Sequence, residues 1–302
     1  MQVTLTGATG LVGGRLVAAL RARGDEVAVL TRDPGKARAA LGPDVEAVRW
    51  DPMTEPAPAA ALAGRDGVVH LAGETLAQRW TAETKRRIVE SREIGTRNLV
   101  EGLRAADPRP SVLVASSAVG YYGPRGAEPL DERTPPGRDF LAEVCVVWER
   151  EADAAGGLRV RVVKLRQGVV LTPEGGALKT MLPFFKAGVG GPVAGGRQYM
   201  PWIHPDDVAG MFVHALEDQH WAGAINATAP RSVTNRELSH ALGRAIHRPT
   251  VAPVPAFAVR LLYGEMSEMV TKGQNVVARR ARELGFEWRH PEIEEALRAA
   301  LA

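Results

Sequence analysis

The segment Thr6-Gly7-Ala8-Thr9-Gly10-Leu11-Val12-Gly13 constrains this chain most, because it sets three glycines between a β-branched run and a helical pattern at the N-terminus. Gly7 permits a tight turn. Gly10 omits a side chain where a pyrophosphate would meet the backbone, and Gly13 lets the helix pack closely on the strand. A helix start built this way offers N–H groups and the positive end of a helix dipole to phosphates. A glycine-rich turn with no ligand would have the same composition. The argument for a dinucleotide loop is therefore its strand–turn–helix context.

That context continues along the first half of the chain. Short valine-rich runs predict strands at Gln2–Thr6, Glu26–Leu30, Val45–Arg49, Gly67–Leu71, Ser111–Ser116 and Leu158–Leu165. Helical patterns over Leu11–Arg23, Gly35–Leu41, Thr81–Ala106 and Asp139–Ala155 separate them. The rhythm predicts an α/β fold, a doubly wound parallel sheet with helices on both faces. After about Leu171 glycines and prolines interrupt it, which predicts a looser substrate-side region. Thr234-Asn-Arg-Glu237 is a capping-box pattern. Further helices are expected near Val276–Leu284 and Pro291–Leu301. The expected division is a dinucleotide-binding domain over 1–171, with strands and helices returning to it after 200, a substrate-side region over 172–250 and a small, mostly helical C-terminal part over 251–302.

Composition narrows the function. One cysteine, Cys145, excludes an intrachain disulfide and a multi-cysteine metal site, and fits a reducing, cytoplasmic setting. No run is long and apolar enough to span a bilayer, and the N-terminus does not read as a signal peptide. The net charge of +3 comes from arginines mixed among acids. The densest cluster, Lys85-Arg86-Arg87, reads as a solvated helix face rather than a nucleic-acid patch. No metal-ligand spacing is visible. The expected partner is a small molecule, and oligomeric state is not readable.

The strand tips indicate which dinucleotide. The second strand ends Thr31-Arg32-Asp33, placing a hydroxyl and a guanidinium where an NAD site wants a carboxylate. A guanidinium suits a 2′-phosphate, so the tip favours NADP(H). The alternative is Asp33 on the ribose of NAD. Asp51 is expected to border the adenine pocket. Leu71, Ala72 and Gly73, at the end of the fourth strand, let the backbone come close to the cofactor, while His70 reads as a packed strand-end residue.

At this point the chain resembles the extended short-chain dehydrogenase/reductase superfamily, through TGATGLVG, HLAG, the run ending GTRNL and SSAVGYYG. It is more closely similar to an atypical epimerase-family branch, labelled cell-division-inhibitor-like (SulA-like). That likeness rests on GETLAQRWT, LRQGVVL, MPWIHPDDVA and a tail resembling a C-terminal domain of unknown function. The resemblance implies a nicotinamide-dependent oxidoreductase or epimerase, with a tyrosine for the proton, a lysine four residues on, a serine and an asparagine. Carried over by position, the serine is Ser117 or Ser116 and the asparagine position holds Arg92. Registered on Glu149, the tyrosine and lysine positions hold Leu141 and Cys145. The Tyr-x-x-x-Lys pair is therefore expected to be absent, and ordinary carbonyl reduction would lack its acid.

Replacement chemistry is sought in Ser117, Tyr121 and Tyr122, with Arg92, Arg166 or Lys164 as cations. The tyrosines equally read as pocket wall. Ser116, Arg92 and Arg166 are expected beside the cofactor. Arg79, Trp80, Gln198, Trp202 and His204 are expected on the substrate side, with Asp206 capping the next helix. Two functions stay open: an NADP(H)-dependent enzyme with a non-standard site, or a non-catalytic NADP(H) sensor.

Overall fold

The computed structural model describes residues 1–250 and 252–302. The expected boundary at residue 251 falls on the residue outside that description. Strands β1 (Gln2–Thr6), β2 (Glu26–Thr31), β3 (Glu46–Arg49), β4 (Gly67–His70), β5 (Val112–Ala118), β6 (Arg161–Gln167) and β7 (Gly223–Ala227) form one sheet. Its order is β7-β6-β5-β4-β1-β2-β3, and all its pairings are parallel. The chain steps from β1 outward to β3, then returns across β1 to β4. That reversal puts the topological switch between β1 and β4, where open α/β sheets take their ligands.

Both faces are covered. Val3, Leu5, Val69, Val114 and Leu165 pack against Leu16 and Leu20 of α1 (Leu11–Ala22). After α2 (Pro34–Leu41), the helices α3 (Ala82–Ala105) and α4 (Phe140–Asp153) cover the other face, with Leu99, Leu103 and Ala152 against Val68 and Leu113. A third core, around Leu171, Leu178, Trp202, Leu238 and Leu297, joins α5 (Gly176–Lys186) and α7 (Asn235–Ala245) to the last helix, Ile293–Leu301. Between α5 and α7, α6 (Pro205–Glu217) lies beside α1 on the first face through Val208 and Phe212. Outside these cores, α8 (Ala256–Tyr263) buries only Val259.

Several expectations shift. The seventh strand is the expected return to the sheet after residue 200, but its position was not foreseen, because Gly-Ala-Ile-Asn-Ala is too short and small-sided to announce itself. β6 starts and ends later than expected, because Ala154–Leu158 continues α4 as a 3-10 turn. α5 lies in the stretch read as loop. Its Pro183 looks like a breaker, yet the helix runs through it on the buried Leu178, Leu182 and Phe185. The capping box at Thr234 forms as expected, with both reciprocal bonds to Glu237. At α6 the N-cap is His204, whose Nδ1 accepts from the Asp206 N–H at 3.2 Å, so Asp206 sits in the first turn instead. Among the described residues no helix is long and apolar enough to cross a membrane.

Candidate functional site

The N-terminal loop has the steric signature its glycines require. Gly7 has φ +67°, and a Cβ there would lie 2.7 Å from the Leu71 carbonyl carbon. A Cβ on Gly13 would lie 2.4 Å from the Gly7 oxygen and 2.7 Å from Ala8 Cα. Gly10 caps α1 without a side-chain bond and donates its own N–H to Gly7 O at 3.0 Å. The N–H groups of Leu11, Val12 and Gly13 meet no acceptor among the described residues. A diphosphate fits this arrangement: unpaired amides at a helix start, over a floor no side chain could share. Thr9, Gly10 and Leu11 are exposed at its rim.

Thr6 holds the switch together from beneath. It is buried, and its Oγ1 accepts from the N–H groups of Leu71 and Ala72 at 3.2 Å each. The same atom lies 2.7 Å from His70 Nδ1, and His70 Nε2 lies 3.0 Å from Thr96 Oγ1. Burial, with the Arg92 charge behind it, pushes His70 down to about 4. His70 is thus a neutral structural histidine. The expectation of Thr6 as a cofactor contact is corrected for its side chain, which shapes the crevice from below.

At the β2 tip Arg32 is exposed and makes no hydrogen bond or ion pair among the described residues. Asp33, the alternative ribose ligand, is the N-cap of α2 and accepts from the Lys36 N–H at 3.0 Å. Thr31 Oγ1 accepts from the Asp33 N–H at 3.3 Å. Asp51 accepts from the Met53 N–H at 3.0 Å, closing its own turn.

The groups expected to do catalysis lie mostly in a buried ion-pair cluster. Arg166 donates through Nε and Nη2 to Glu149 at 2.8 and 2.9 Å, and through Nη1 to the Tyr122 hydroxyl at 3.0 Å. Ser117 Oγ donates to Glu149 at 2.7 Å, and the Tyr122 hydroxyl donates to Asn226 at 2.6 Å. Ser117, Tyr122, Arg166 and Glu149 are all buried. Burial drives the Tyr122 phenol well above its ordinary range, against the pull of Arg166. Three expectations are corrected here: Ser117 and Tyr122 are not open to a substrate, and Arg166 is committed to Glu149 rather than to a cofactor. Ser116 is also engaged, accepting from Gln167 Nε2 at 2.5 Å. Tyr121 differs. It is half-buried, and its ring lies under the Arg166 guanidinium at 3.4 Å. Its hydroxyl makes no hydrogen bond among the described residues.

Arg92 is buried beside Gly73, where a Cβ would lie 3.2 Å from its guanidinium carbon. Its Nη1 donates to the carbonyls of Glu74 and Ile88 at 3.1 Å each, and its guanidinium sits 4.8 Å from the Trp148 ring. No carboxylate pairs with it among the described residues, and burial lowers its pKa. Cys145 faces it from α4 with its thiol pushed up to about 12, first by burial and then by Glu149. Such a thiol is inert.

Of the substrate-side expectations, Arg79 and Trp80 lie on an open loop. Trp80 packs edge-on against Phe140 at 5.2 Å, and Arg79 lies near Gly264. The other three are corrected. Trp202 is 1% exposed within the third core, so it lines no opening. Gln198 spends its amide on the carbonyls of Val193 and Val270. His204 is buried against His290, with ring centroids 3.8 Å apart. Glu149 and Asn226 were missed as partners. A faint signal existed for Glu149, a charge within the apolar stripe of Leu141, Cys145, Trp148 and Ala152. Asn226 offered none.

Comparison with known proteins agrees with this geometry. Residues 3–227 match the family model of the NAD dependent epimerase/dehydratase family, and residues 254–300 match a domain of unknown function, DUF1731. The chain is 42% identical over 310 residues to the chloroplastic epimerase family protein SDR39U1 homolog of Arabidopsis thaliana, covering 100% of this chain and 87% of the relative. It is 37% identical over 308 residues to epimerase family protein SDR39U1 of Bos taurus, covering 100% of both. The crystal structure of human SDR39U1 (isoform 2) with NADPH superposes with a TM-score of 0.88 at 34% identity, covering 99% of both chains.

Proposed function

We propose that this chain, which belongs to the NAD dependent epimerase/dehydratase family, binds NADP(H) in its Gly7–Gly10–Gly13 cradle and acts as an oxidoreductase or epimerase with a non-standard site. The observation that carries this reading is the set of N–H groups on Leu11, Val12 and Gly13, unpaired among the described residues, above a floor without side chains. The NADPH held by the human relative supports it. Arg32, unengaged at the β2 tip, and Asp33, turned away to cap α2, favour a 2′-phosphate over a bare ribose.

When bound, the dinucleotide supplies hydride transfer at its nicotinamide. The residues of this chain supply the rest. We infer that α4 carries Leu141 and Cys145 where relatives of the wider superfamily use tyrosine and lysine, so the proton at the substrate oxygen needs another donor. Of the two tyrosines after β5, Tyr121 is the one left accessible, with Arg166 over its ring as the positioning cation. Glu149 fixes that cation and cancels part of its charge. A second reading, a non-catalytic NADP(H) sensor, is favoured by the same network, which spends Ser117 and Tyr122 on internal bonds. The lone buried Cys145 supports a reducing, cytoplasmic setting. The narrower likeness to a SulA-like branch rests on GETLAQRWT, LRQGVVL, MPWIHPDDVA and the C-terminal tail, and adds nothing to the chemistry.

The test is a fluorescence titration with NADPH and NADH, followed by NADPH consumption against a carbonyl panel. Tighter binding of NADPH, reduced about tenfold or more by Arg32→Ala with NADH unaffected, is the expected result. Equal affinity for both dinucleotides overturns the NADP preference. Turnover lost in Tyr121→Phe at unchanged NADPH affinity supports the enzyme. Binding without turnover supports the sensor, and no affinity for either dinucleotide overturns both.

A further inference from the structure

Away from the dinucleotide cradle, the fold brings a distant histidine to two groups at the start of α6. His204 caps α6, Asp206 stands in that helix's first turn, and His290 arrives from the segment before the last helix. One donor atom from each lies within 4.8 Å of the others. Asp206 Oδ2 is 3.8 Å from His204 Nδ1 and 4.0 Å from His290 Nε2, while Oδ1 is 3.7 Å from the Arg15 guanidinium. Asp207 fixes the arriving segment by accepting from the N–H groups of Arg289 and His290 at 2.7 and 3.1 Å.

Among the described residues two ring nitrogens in this cluster are buried without a partner: His204 Nε2 and His290 Nδ1. His204 Nδ1 accepts the Asp206 N–H, so the neutral ring carries its proton on Nε2. That proton faces no acceptor among the described residues, and an unsatisfied buried donor is destabilising. Protonating both nitrogens is no remedy, since it would put a cation into a buried site next to a second histidine.

We propose that His204, Asp206 and His290 bind a divalent transition-metal ion of the zinc type. Two imidazoles and one carboxylate match the donors zinc takes, and three protein ligands leave a fourth position for water. Calcium and magnesium are disfavoured because they want oxygen-rich shells. Tetrahedral zinc bonds of about 2.0–2.1 Å put donors about 3.3 Å apart, so the three groups close by about 1 Å on binding. His290 and Asp206 are part-exposed and have room to rotate. Nε2 is the His204 nitrogen left free by the N-cap bond, and since the 3.8 Å separation from Asp206 runs to Nδ1, ligation through Nε2 requires the ring and the carboxylate to turn toward each other. Asp207, through its backbone bonds, is a positioning residue for His290. The metal would clamp the C-terminal segment to α6. The sequence showed no ligand spacing because His290 enters from far along the chain.

The experiment uses the full chain without an affinity tag, stripped with chelator and titrated with Zn²⁺ and with Co²⁺ as a spectroscopic probe. Expected are one equivalent of Zn²⁺ retained in equilibrium dialysis, visible Co²⁺ bands of tetrahedral type, and a Tm raised by Zn²⁺. His290→Ala and Asp206→Asn should each weaken binding by at least about tenfold. Circular dichroism and NADPH titration of the variants establish that they fold. Failure of the parent protein to hold one equivalent overturns the proposal. So does retention of the metal in both variants, or loss only where the fold is lost.

Discussion

Replacing Arg166 by methionine tests whether the Glu149–Arg166 pair holds the sheet's C-terminal edge to α4. Arg166 is 4% exposed and Glu149 6%, so neither charge is solvated. Arg166→Met removes two bonds to Glu149, at 2.8 and 2.9 Å, and one to Tyr122 at 3.0 Å. Removing one partner of a buried pair costs about 3–5 kcal/mol, because the other charge stays buried. Lys164, with Nζ 3.8 Å from Glu149, softens the loss and sets the expectation near about 3 kcal/mol. That is a fall of about a hundredfold in the folding equilibrium constant. Glu149→Leu combined with Arg166→Met removes both charges, and should cost less than the sum of the single changes by about 1.5 kcal/mol or more. Urea unfolding followed by tryptophan fluorescence reads all three variants. A loss under about 1 kcal/mol for Arg166→Met, or strict additivity in the double variant, would refute the argument.

Three further outcomes are expected. Gly13→Ala, whose Cβ would lie 2.4 Å from Gly7 O, should abolish NADPH binding in a fluorescence titration. Gly14→Ala, with only Ala8 O at 3.8 Å, should keep it and add up to about 1 kcal/mol of stability. Folded His70 titrates near 4 against 6.5 for the free imidazole. Below pH 6.5 the unfolded chain therefore takes up a proton that the native chain refuses. Stability should be whole above pH 6.5 and fall by about 3 kcal/mol as pH drops to 4, with His204 acting the same way. His70→Gln should flatten the acid limb of urea midpoint against pH by about one proton, and an unchanged limb counts against the assignment. Asp33→Ala should cost about 1 kcal/mol as a lost N-cap while leaving the NADPH-to-NADH affinity ratio as it was. A changed ratio would mean that Asp33 touches the ribose after all.

The parts legible in advance were those written in local order. Glycine spacing at Thr6–Gly13 and the strand rhythm to Leu165 are periodic signals, and they carried the sheet and its switch point. α5 was hidden because Pro183 obeys a local rule that tertiary burial overrides. β7 was hidden because its pairing with β6, not its own residues, makes it a strand. The catalytic neighbourhood was misjudged for a related reason. Ser117, Tyr122, Glu149, Arg166 and Asn226 come from five separate elements, and only their meeting shows that they satisfy one another. The same holds for His204 and His290.

Thr6 has a consequence for how any ligand enters. One hydroxyl ties the last residue of β1 to the two amides that follow β4, so the lips of the crevice are stapled before anything arrives. Those two bonds hold the base of the aperture in place ahead of binding. A guest of the right shape should find the doorway already open to its width, and one slightly too large should be refused rather than accommodated.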